Sequence, residues 1–520
     1  MFKKFNTTGK CLVDKHYMAN VSVKMTETLK LIDEGEYFII NRPRQYGKTT
    51  TLYGIEDALL KTEHFVVFNI SFEGLGNDTF KSEKTFSKGF VRLLGDYAEY
   101  QMPHLQAWLQ ERISKTKDLS ELSSLISQLH KQVPQKIVVL IDEVDQSSNN
   151  EVFIKFLAML RNKFLSKDRI PAFHSVVLAG VHDVKSLKLK IRPDSEQQYN
   201  SPWNIAADFK VDMNLHPHEI KPMLDDYVRE RGVAMDTMTM SYGLFYYTSG
   251  YPFLVSRLCK IMDEELLPLK KELSWTMDDL EWAVKRLVKE HNTNFETQVK
   301  NLENNPDLYN MVYQVAIDGE FRSFNIHNPI TNLAVMYGLL TEKEGRLAIH
   351  NRIYNELIVN YMTNKIELSP LQNRIDFGEG YRNENKTLNL EAVLLGFQSF
   401  MKREYSRKDR DFLERHARLV FLSFLKPIIN GAGYDFKEPQ ISEEKRLDVV
   451  ITYYEHKYIA ELKLWRGEKL HEKGLIQLAN YLEAQQVVDG YLLIFDHAKV
   501  KNWASEWTTV QNKQIFMVWL

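Results

Sequence analysis

Two groups of residues in this sequence have side chains and spacings suited to phosphate chemistry. The first lies in RPRQYGKTT (42–50), where Gly47, Lys48 and Thr49 follow one another. An apolar segment, YFII, precedes this stretch, and TTLYGIEDALL, with the apolar spacing of a helix, follows it. Backbone N–H groups at a helix start bind phosphate, glycine permits close approach, lysine adds charge and a threonine hydroxyl can hold Mg²⁺. The consensus for such a loop opens with glycine, where this chain has Arg42.

A pair of acidic residues later in the chain fits the same chemistry. In KIVVLIDEVD, Asp142 and Glu143 follow an apolar run, which predicts that they lie at the carboxyl end of a buried strand. There Asp142 can hold Mg²⁺ through water, and Glu143 can orient or deprotonate an attacking water. A solvated acidic turn is the competing interpretation, and the presence of the loop makes it the less favoured one. The expected ligands of ATP and Mg²⁺ are Arg44, Gly47, Lys48, Thr49, Thr50 and Asp142, with hydrolysis through Glu143 left open.

The second group lies in RLDVVITYYEHKYIAELKLW (446–465). Asp448 is expected in one strand, and Glu461 and Lys463 in the next. Side chains two apart on a strand share a face, which Asp448 can reach from the neighbouring strand. Two carboxylates and the backbone carbonyl of Leu462 would form an oxygen-rich site for Mg²⁺ or Mn²⁺, beside a lysine that can activate water or steady developing charge. A hairpin whose charges simply alternate toward solvent is the alternative.

The apolar periodicity predicts the elements that position these residues. Up to about residue 215, apolar strands alternate with amphipathic helices, which indicates a parallel sheet covered on both faces. Helices alone follow, and then the order helix, helix, tight hairpin, helix of a winged helix. Its second helix, NPITNLAVMYG (328–338), has no basic residue, so packing or autoinhibition is favoured over DNA contact. After a polar stretch, a last segment again combines helices and strands.

Composition bounds the class of protein. A chain of 520 residues exceeds one hydrophobic core. Lys and Arg (67) balance Asp and Glu (69), so a nucleic-acid partner would have to meet a local basic patch. Two cysteines form no disulfide framework, and no secretory signal or membrane span is recognisable. These features favour a cytoplasmic protein without membrane contact.

The first group of motifs resembles the AAA-like and STAND ATPases over about residues 15–362. The resemblance rests on the RQxGKT loop, the DE strand, the SPWNIA segment (201–206) and the Gly250-x-Pro252 start of a helix, followed by a winged helix. It implies that Pro252 lies near the adenine. His182 and Asp183 follow the apolar strand SVVLAGV, where a γ-phosphate sensor would sit, and a capping or surface role for His182 is left open. The missing first glycine is a common variant of the group. No arginine finger is identified, Arg161 and Arg192 being weak candidates.

The second group resembles the PD-(D/E)XK nuclease superfamily, as found behind AAA-like domains. Arg446 stands two residues before Asp448, and Leu447 replaces the usual proline. Gln477 and Tyr481 match the Q-x-x-x-Y helix that follows the lysine, and Glu414 matches a helix carboxylate that contributes to the metal site.

Together these patterns predict an α/β multidomain protein. The expected domains are a P-loop AAA-like ATPase core (1–215), a helical lid (216–305), a winged helix (306–365), a linker (366–392) and a restriction-endonuclease-like nuclease domain (393–520). The expected function is an ATP-regulated, Mg²⁺-dependent nuclease, with DNA favoured over RNA and prokaryotic defence or mobile-element biology as a setting by analogy. A nucleotide-switched interaction protein with an inert nuclease fold is the alternative, and a DNA-moving motor is a third. Homo-oligomerisation is left open.

Overall fold

The structure is a computed structural model. It describes residues 2–147, 150–181, 203–316, 322–367, 381–383, 385, 387–404, 420–422, 424–425, 428–429, 440–442, 448–453, 456–465, 468–496 and 503–520. The chain forms two compact units. The first comprises Met1–Gln298, Asn332–Leu339 and His350–Ile353, and the second comprises Val299–Thr331, Leu340–Ile349 and Tyr354–Leu520.

The first unit is built on a parallel sheet in the order β1-β4-β3-β2. Its strands are β1 (Tyr37–Asn41), β2 (Phe65–Ser71), β3 (Lys136–Asp142) and β4 (Ser175–Gly180). Helices cover both faces, which is why the strands consist almost wholly of apolar residues. Because the strands are parallel, the residues that follow β1, β3 and β4 meet at one edge, where ligands of such sheets bind.

Eleven described α-helices begin within the Met1–Gln298 part of this unit. They are α1 (Ser22–Asp33), α2 (Lys48–Leu60), α3 (Glu83–Gln101), α4 (Pro103–Ile113), α5 (Leu119–Leu129), α6 (Glu151–Leu165), α7 (Pro217–Arg231), α8 (Thr237–Thr248), α9 (Pro252–Ile261), α10 (Met277–Val288) and α11 (Thr293–Glu303). Local signals explain several of their ends. The Asp236 carboxylate accepts hydrogen bonds from the first turn of α8, Thr276 and Asp279 form a capping box on α10, and Gly232 ends α7 in the left-handed conformation.

The predicted run of helix, helix, hairpin and helix is present along the chain. It consists of α12 (Pro306–Ala316), α13 (Pro329–Met336), β5 (Leu340–Lys343), β6 (Arg346–Ile349) and α14 (Arg352–Glu367). The two strands are antiparallel, and a two-residue turn joins them. Both turn residues, Glu344 and Gly345, have positive φ (52° and 76°), as a tight hairpin turn requires.

The second unit contains a mixed sheet in the order β11-β12-β10-β9-β8-β7. Its elements are α15 (Leu390–Glu404), β7 (Gln440–Ser442), β8 (Asp448–Tyr453), β9 (His456–Leu464), α16 (Glu468–Ala484), β10 (Asp489–Phe495), β11 (Ser505–Val510) and β12 (Lys513–Trp519). Strands β7, β8 and β9 are antiparallel neighbours, whereas β10 runs parallel to β9 and to β12. One face packs against α15 and the other against α16.

Candidate functional site

The loop after β1 turns into α2 through two residues in the left-handed backbone conformation. Gln45 and Gly47 have φ of 56° and 79°, and Gly47 is the N-cap of α2. A Cβ on Gly47 would meet no atom within 4 Å, so the left-handed backbone, rather than crowding, calls for glycine there. The first N–H groups of α2 have no partner within the helix and are available to phosphate oxygens.

Lys48, Thr49 and Asp142 converge at this helix start. The Lys48 side chain is buried and donates from Nζ to the carbonyl oxygens of Arg42 (3.0 Å) and Pro43 (2.9 Å). Thr49 Oγ1 donates to Asp142 Oδ2 at 2.6 Å. Burial lowers the pKa of Lys48, and the charge of Asp145 opposes this shift most strongly. The hydroxyl and carboxylate oxygens suit Mg²⁺, and the ammonium suits phosphate.

Glu143 directly follows Asp142 in a left-handed backbone conformation, with φ of 54°. Its N–H donates to Asp142 Oδ1 at 2.9 Å. Burial raises the pKa of the Glu143 carboxyl, and the neighbouring charge of Asp142 adds to the shift. Asp145 Oδ2 accepts from the N–H of Val181 at 2.6 Å, which joins the ends of β3 and β4. A carboxyl with a raised pKa at this edge is suited to accept a proton from water.

Arg42 and Arg44 differ in their surroundings. The Arg42 guanidinium donates to the carbonyl oxygens of Asn41 and Val211, each at 2.8 Å, and lies over the Phe209 ring. The Arg42 side chain, at the position where the consensus has glycine, therefore stabilises the loop by binding the backbone of Asn41 and Val211. Arg44 is exposed and borders the cavity described next.

A cavity of about 780 Å³ surrounds the start of α2, a size suited to a nucleotide. Eight of the residues expected at the nucleotide site line it: Arg44, Gly47, Lys48, Thr49, Thr50, Asp142, Glu143 and Pro252. Pro252 is the first residue of α9. The sequence thus predicted a set of residues that one cavity brings together.

The N-terminal loop (residues 5–16) also borders the cavity, and sequence reasoning did not predict this. Backbone bonds from Lys4 to Lys15 (2.9 Å) and from Tyr17 to Lys4 (3.1 Å) close its base. Two bonds attach the loop to the helices of the cavity wall. The N–H of Cys11 donates to Thr50 Oγ1 at 3.1 Å, and Ser256 Oγ donates to the carbonyl oxygen of Asn6 at 2.5 Å.

The side chain of Tyr46 holds the phosphate-binding loop in place, and the sequence did not predict this role either. Its buried hydroxyl donates to Asn214 Oδ1 and forms a 3.1 Å hydrogen bond with His350 Nε2. Its ring packs edge-on against Tyr251 with centroids 4.5 Å apart. The Tyr251 hydroxyl donates to the carbonyl oxygen of Arg44 at 2.5 Å. No motif marks these contacts, because the partners are up to 304 positions apart in the sequence.

The residues of the second group lie in the mixed sheet. Asp448, the first residue of β8, is paired in register with Glu461 of β9. Glu461 is only 7% exposed, and its Oε1 lies 2.9 Å from Lys463 Nζ. The side chain of Leu462 packs on the opposite face, while Gln477 on α16 is exposed and Tyr481 is buried.

Some expected residues lie outside the described residues. These are His182, Asp183, Arg192, Glu414, Arg446, Leu447 and the side chain of Asp448. Within the part of the chain that the structure describes, no three His, Cys, Asp or Glu side chains form a cluster that could hold a metal ion. The described helices likewise include none that is long and apolar enough to span a membrane.

Comparison with known proteins adds the family. None of the curated proteins matches the sequence. Among solved structures, the Walker-type ATPase PABY2304 of Pyrococcus abyssi is 12% identical, with 68% of this chain and 99% of that chain covered and a TM-score of 0.47. The ORC2 protein of Aeropyrum pernix is 14% identical, with 70% of this chain and 98% of that chain covered and a TM-score of 0.38. The RuvB Holliday junction branch migration motor of Thermotoga maritima is 14% identical, with 68% of this chain and 98% of that chain covered and a TM-score of 0.35. Likenesses of this extent carry no information on what this chain binds.

The sequence itself matches a family model described as an AAA-like domain over residues 9–360. This match agrees with the parallel sheet and with the loop and acidic residues at its edge. The expectation of a P-loop NTPase-like α/β fold is therefore confirmed for this part of the chain. By a match that spans more than half of its length, the chain belongs to the AAA-like family of ATP-binding P-loop domains.

Proposed function

We propose that this protein is a nucleotide-regulated nuclease, in which an AAA-like ATPase controls a Mg²⁺-dependent site that hydrolyses phosphodiester bonds of nucleic acid, with DNA as the favoured substrate. The five domains expected from the sequence, the STAND-like arrangement and the winged-helix identity of residues 306–365 belong to this proposal. Packing or autoinhibition is the role we assign to that winged helix, since its second helix has no basic residue.

In the ATPase half, each residue has a separate task. The N–H groups at the start of α2 and the Lys48 ammonium would bind the phosphates, which requires Lys48 to leave the carbonyl oxygens of Arg42 and Pro43. Thr49 and Asp142, already 2.6 Å apart, would hold Mg²⁺, which neutralises phosphate charge when bound. Glu143 would take a proton from the attacking water, and its raised pKa favours that transfer.

The register of β8 and β9 is the observation that carries the nuclease half. Directly opposed residues of an antiparallel pair place their Cβ atoms roughly 5 Å apart on the same face. Asp448 and Glu461 are such a pair, and Lys463 follows on the same face of β9. A chance hairpin would not require a buried carboxylate and a largely buried lysine side chain on the face that α16 covers.

These groups fit a hard divalent cation. Glu461 supplies carboxylate oxygen, Asp448 stands at the position to supply another, and the Leu462 backbone can supply a carbonyl oxygen, which together match the preference of Mg²⁺ or Mn²⁺ for oxygen ligands. The ion would polarise the scissile phosphate and lower the pKa of a water. Lys463 would orient that water and stabilise the charge that develops on the phosphate. We assign supporting roles to Gln477 and Glu414 by resemblance to the PD-(D/E)XK group.

Cleavage assays on purified protein test the proposal. Plasmid, single-stranded DNA and RNA are incubated with and without Mg²⁺ and ATP, using wild type and Glu461→Gln. We expect Mg²⁺-dependent cleavage of at least one substrate by the wild type, reduced by about 100-fold or more in the variant, as for loss of a charge-stabilising group. Asp489→Asn, an exposed acid at the start of β10, is the control and should cleave as the wild type does.

Two outcomes would contradict the nuclease proposal. Absence of cleavage under all conditions would favour the interaction protein with an inert nuclease fold. Cleavage that Glu461→Gln leaves unchanged would place the activity elsewhere in the chain or in a contaminant.

A further inference from the structure

A glycine lies in the interior of α16, where glycine is an unfavourable choice. Gly474 is buried within a 17-residue helix that packs on the face of the sheet holding Glu461 and Lys463. Glycine destabilises a helix interior relative to alanine because its backbone loses more freedom on folding. Its conformation here is not of the positive-φ kind that requires glycine. Its presence therefore has another cause.

The space that a side chain would occupy at Gly474 is filled by Lys463. A Cβ built on Gly474 would lie 2.0 Å from Lys463 Nζ, 3.0 Å from its Cε and 3.1 Å from its Cδ. These separations are shorter than van der Waals contact, so any residue other than glycine must displace the ammonium. The missing side chain creates a recess in α16, and the end of Lys463 occupies it.

The recess holds the ammonium in a defined place. Lys463 is largely buried, and its Nζ lies 2.9 Å from Glu461 Oε1. A lysine side chain on a free surface samples many rotamers, because its four-carbon chain is flexible. Here the helix backbone stands on one side of the ammonium and the carboxylate on another. The ammonium charge also acts on His471, one turn before Gly474. Burial lowers the pKa of the His471 imidazole, and the charge of Lys463 lowers it further.

We propose that Gly474 is a positioning residue of the nuclease site, whose missing side chain holds the Lys463 ammonium beside Glu461. The inference rests on the proposed function for its catalytic consequence, but the recess itself can be tested without cleavage. Helix packing alone does not explain the glycine, because an alanine at this position would stabilise the helix and fill the space that the Lys463 ammonium now occupies.

Chemical labelling tests the recess. Amine-specific labelling followed by mass spectrometry compares Lys463 with the exposed Lys473 of the same helix. In the wild type, Lys463 should be labelled at least tenfold more slowly than Lys473. In Gly474→Ala the two rates should approach each other, because the ammonium is expelled toward solvent. Asn480→Ala, an exposed change elsewhere on α16, should leave both rates as in the wild type. Equal protection of Lys463 in Gly474→Ala would overturn the recess.

Kinetics and thermal unfolding test the positioning role. Gly474→Ala should lower kcat for cleavage at least tenfold with little change in KM, while its thermal midpoint stays equal to or above that of the wild type. A variant that exposes Lys463 yet cleaves at the wild-type rate would overturn the role. A wild type that never cleaves, with Lys463 still released by Gly474→Ala, would support the recess and refute the nuclease.

A double variant covers the case in which Gly474→Ala alone does not fold. Removing the lysine removes the clash, so Gly474→Ala/Lys463→Ala should recover the thermal midpoint of Lys463→Ala. A double variant that remains unfolded would show that Gly474 accommodates something other than Lys463, and would overturn the inference.

Discussion

Glu143 is the residue that we propose as the general base in ATP hydrolysis. It combines a left-handed backbone (φ 54°), an N–H bonded to Asp142 and a carboxyl whose pKa burial raises. Non-glycine residues in that conformation cost about 1–3 kcal/mol and are concentrated at functional sites. The backbone strain and the shifted pKa occur at one residue, which favours a catalytic role over a solvated turn.

Glu143→Gln should therefore separate binding from turnover. We expect ATP affinity close to that of the wild type and a turnover lowered by about 10²–10⁴-fold, the range for loss of a general base. Fluorescent-nucleotide titration and a phosphate-release assay measure the two quantities. Glu73→Gln, an exposed acid that also borders the cavity, is the control. Unchanged turnover in Glu143→Gln would exclude this residue as the base.

We expect His174 to make the stability of the first unit depend on pH. It is half-buried beside Gly35 and the ring of Phe65, and burial lowers its pKa. In the unfolded chain it titrates near pH 6.5, so below that pH the unfolded state binds more protons than the folded one. Stability from the neutral imidazole is present above pH 6.5 and is lost as the pH falls toward the lowered folded-state pKa.

His174→Gln should accordingly flatten part of the decline in unfolding free energy on acidification. Urea unfolding at a series of pH values measures this, with the exposed His64→Gln as the control. A decline of the same steepness in His174→Gln would show that other groups cause it.

The sequence was most informative for site residues that are neighbours in the chain or that directly end an apolar strand. Lys48 and Thr49 are neighbours, and Asp142 ends an apolar strand, so spacing alone placed them at one edge of a parallel sheet. Tyr46 and His350 escaped notice because their hydrogen bond joins residues 304 positions apart and neither belongs to a motif. The Q-x-x-x-Y pattern also does not predict how exposed each side chain is. Gln477 and Tyr481 are one turn apart, yet only the tyrosine is buried.

The N-terminal loop is an element whose anchorage can be tested apart from the catalytic residues. Phe5 is 2% exposed and packs among Tyr17, Tyr227 and Trp275 at ring separations of 4.8, 5.1 and 5.9 Å. This cluster holds the loop where Cys11 and Asn6 meet the helices that line the cavity. Nucleotide retention should therefore depend on a residue that has no part in phosphate binding.

Phe5→Ala should destabilise the protein by about 3–5 kcal/mol, the usual cost of deleting a buried phenylalanine ring. It should also speed the release of a fluorescent ATP analogue, measured by stopped flow at a temperature where the variant stays folded. Phe2→Ala, at a position 56% exposed, should change neither quantity appreciably. Equal release rates in both variants would show that the loop does not retain the nucleotide.

Helices and strands with a regular apolar pattern were predicted well from the sequence, whereas the edge strand β11 was not predicted. Strand β11, SEWTTV, is largely polar and exposed because it lies at the edge of the mixed sheet and has one strand neighbour. The turn that pairs it with β12 uses Gln511 and Asn512, both at positive φ, without the glycine that usually signals a tight hairpin. Tertiary pairing, rather than local propensity, makes this segment a strand.

For the whole molecule, the proposed function requires that ATP binding by the AAA-like domain change the rate of nucleic-acid cleavage. Lys48→Ala should abolish ATP binding, because it removes the only ammonium among the described residues that is buried at the start of α2. Cleavage by this variant should then be the same with and without ATP, while the wild type responds to ATP. Comparing cleavage rates with and without ATP in the two proteins measures this. An ATP response that survives in Lys48→Ala would contradict control through this site.

The proposed nuclease site depends on Asp448 and Glu461 together holding a divalent ion beside Lys463. Electron paramagnetic resonance of Mn²⁺, recorded without nucleotide on the Lys48→Ala/Thr49→Ala background, tests it without relying on catalysis. We predict a bound Mn²⁺ signal that disappears in both Asp448→Asn and Glu461→Gln and persists in Asp489→Asn. Mn²⁺ binding that is unaffected by either substitution, or absent from the start, would contradict the proposed metal site and leave only the AAA-like ATPase.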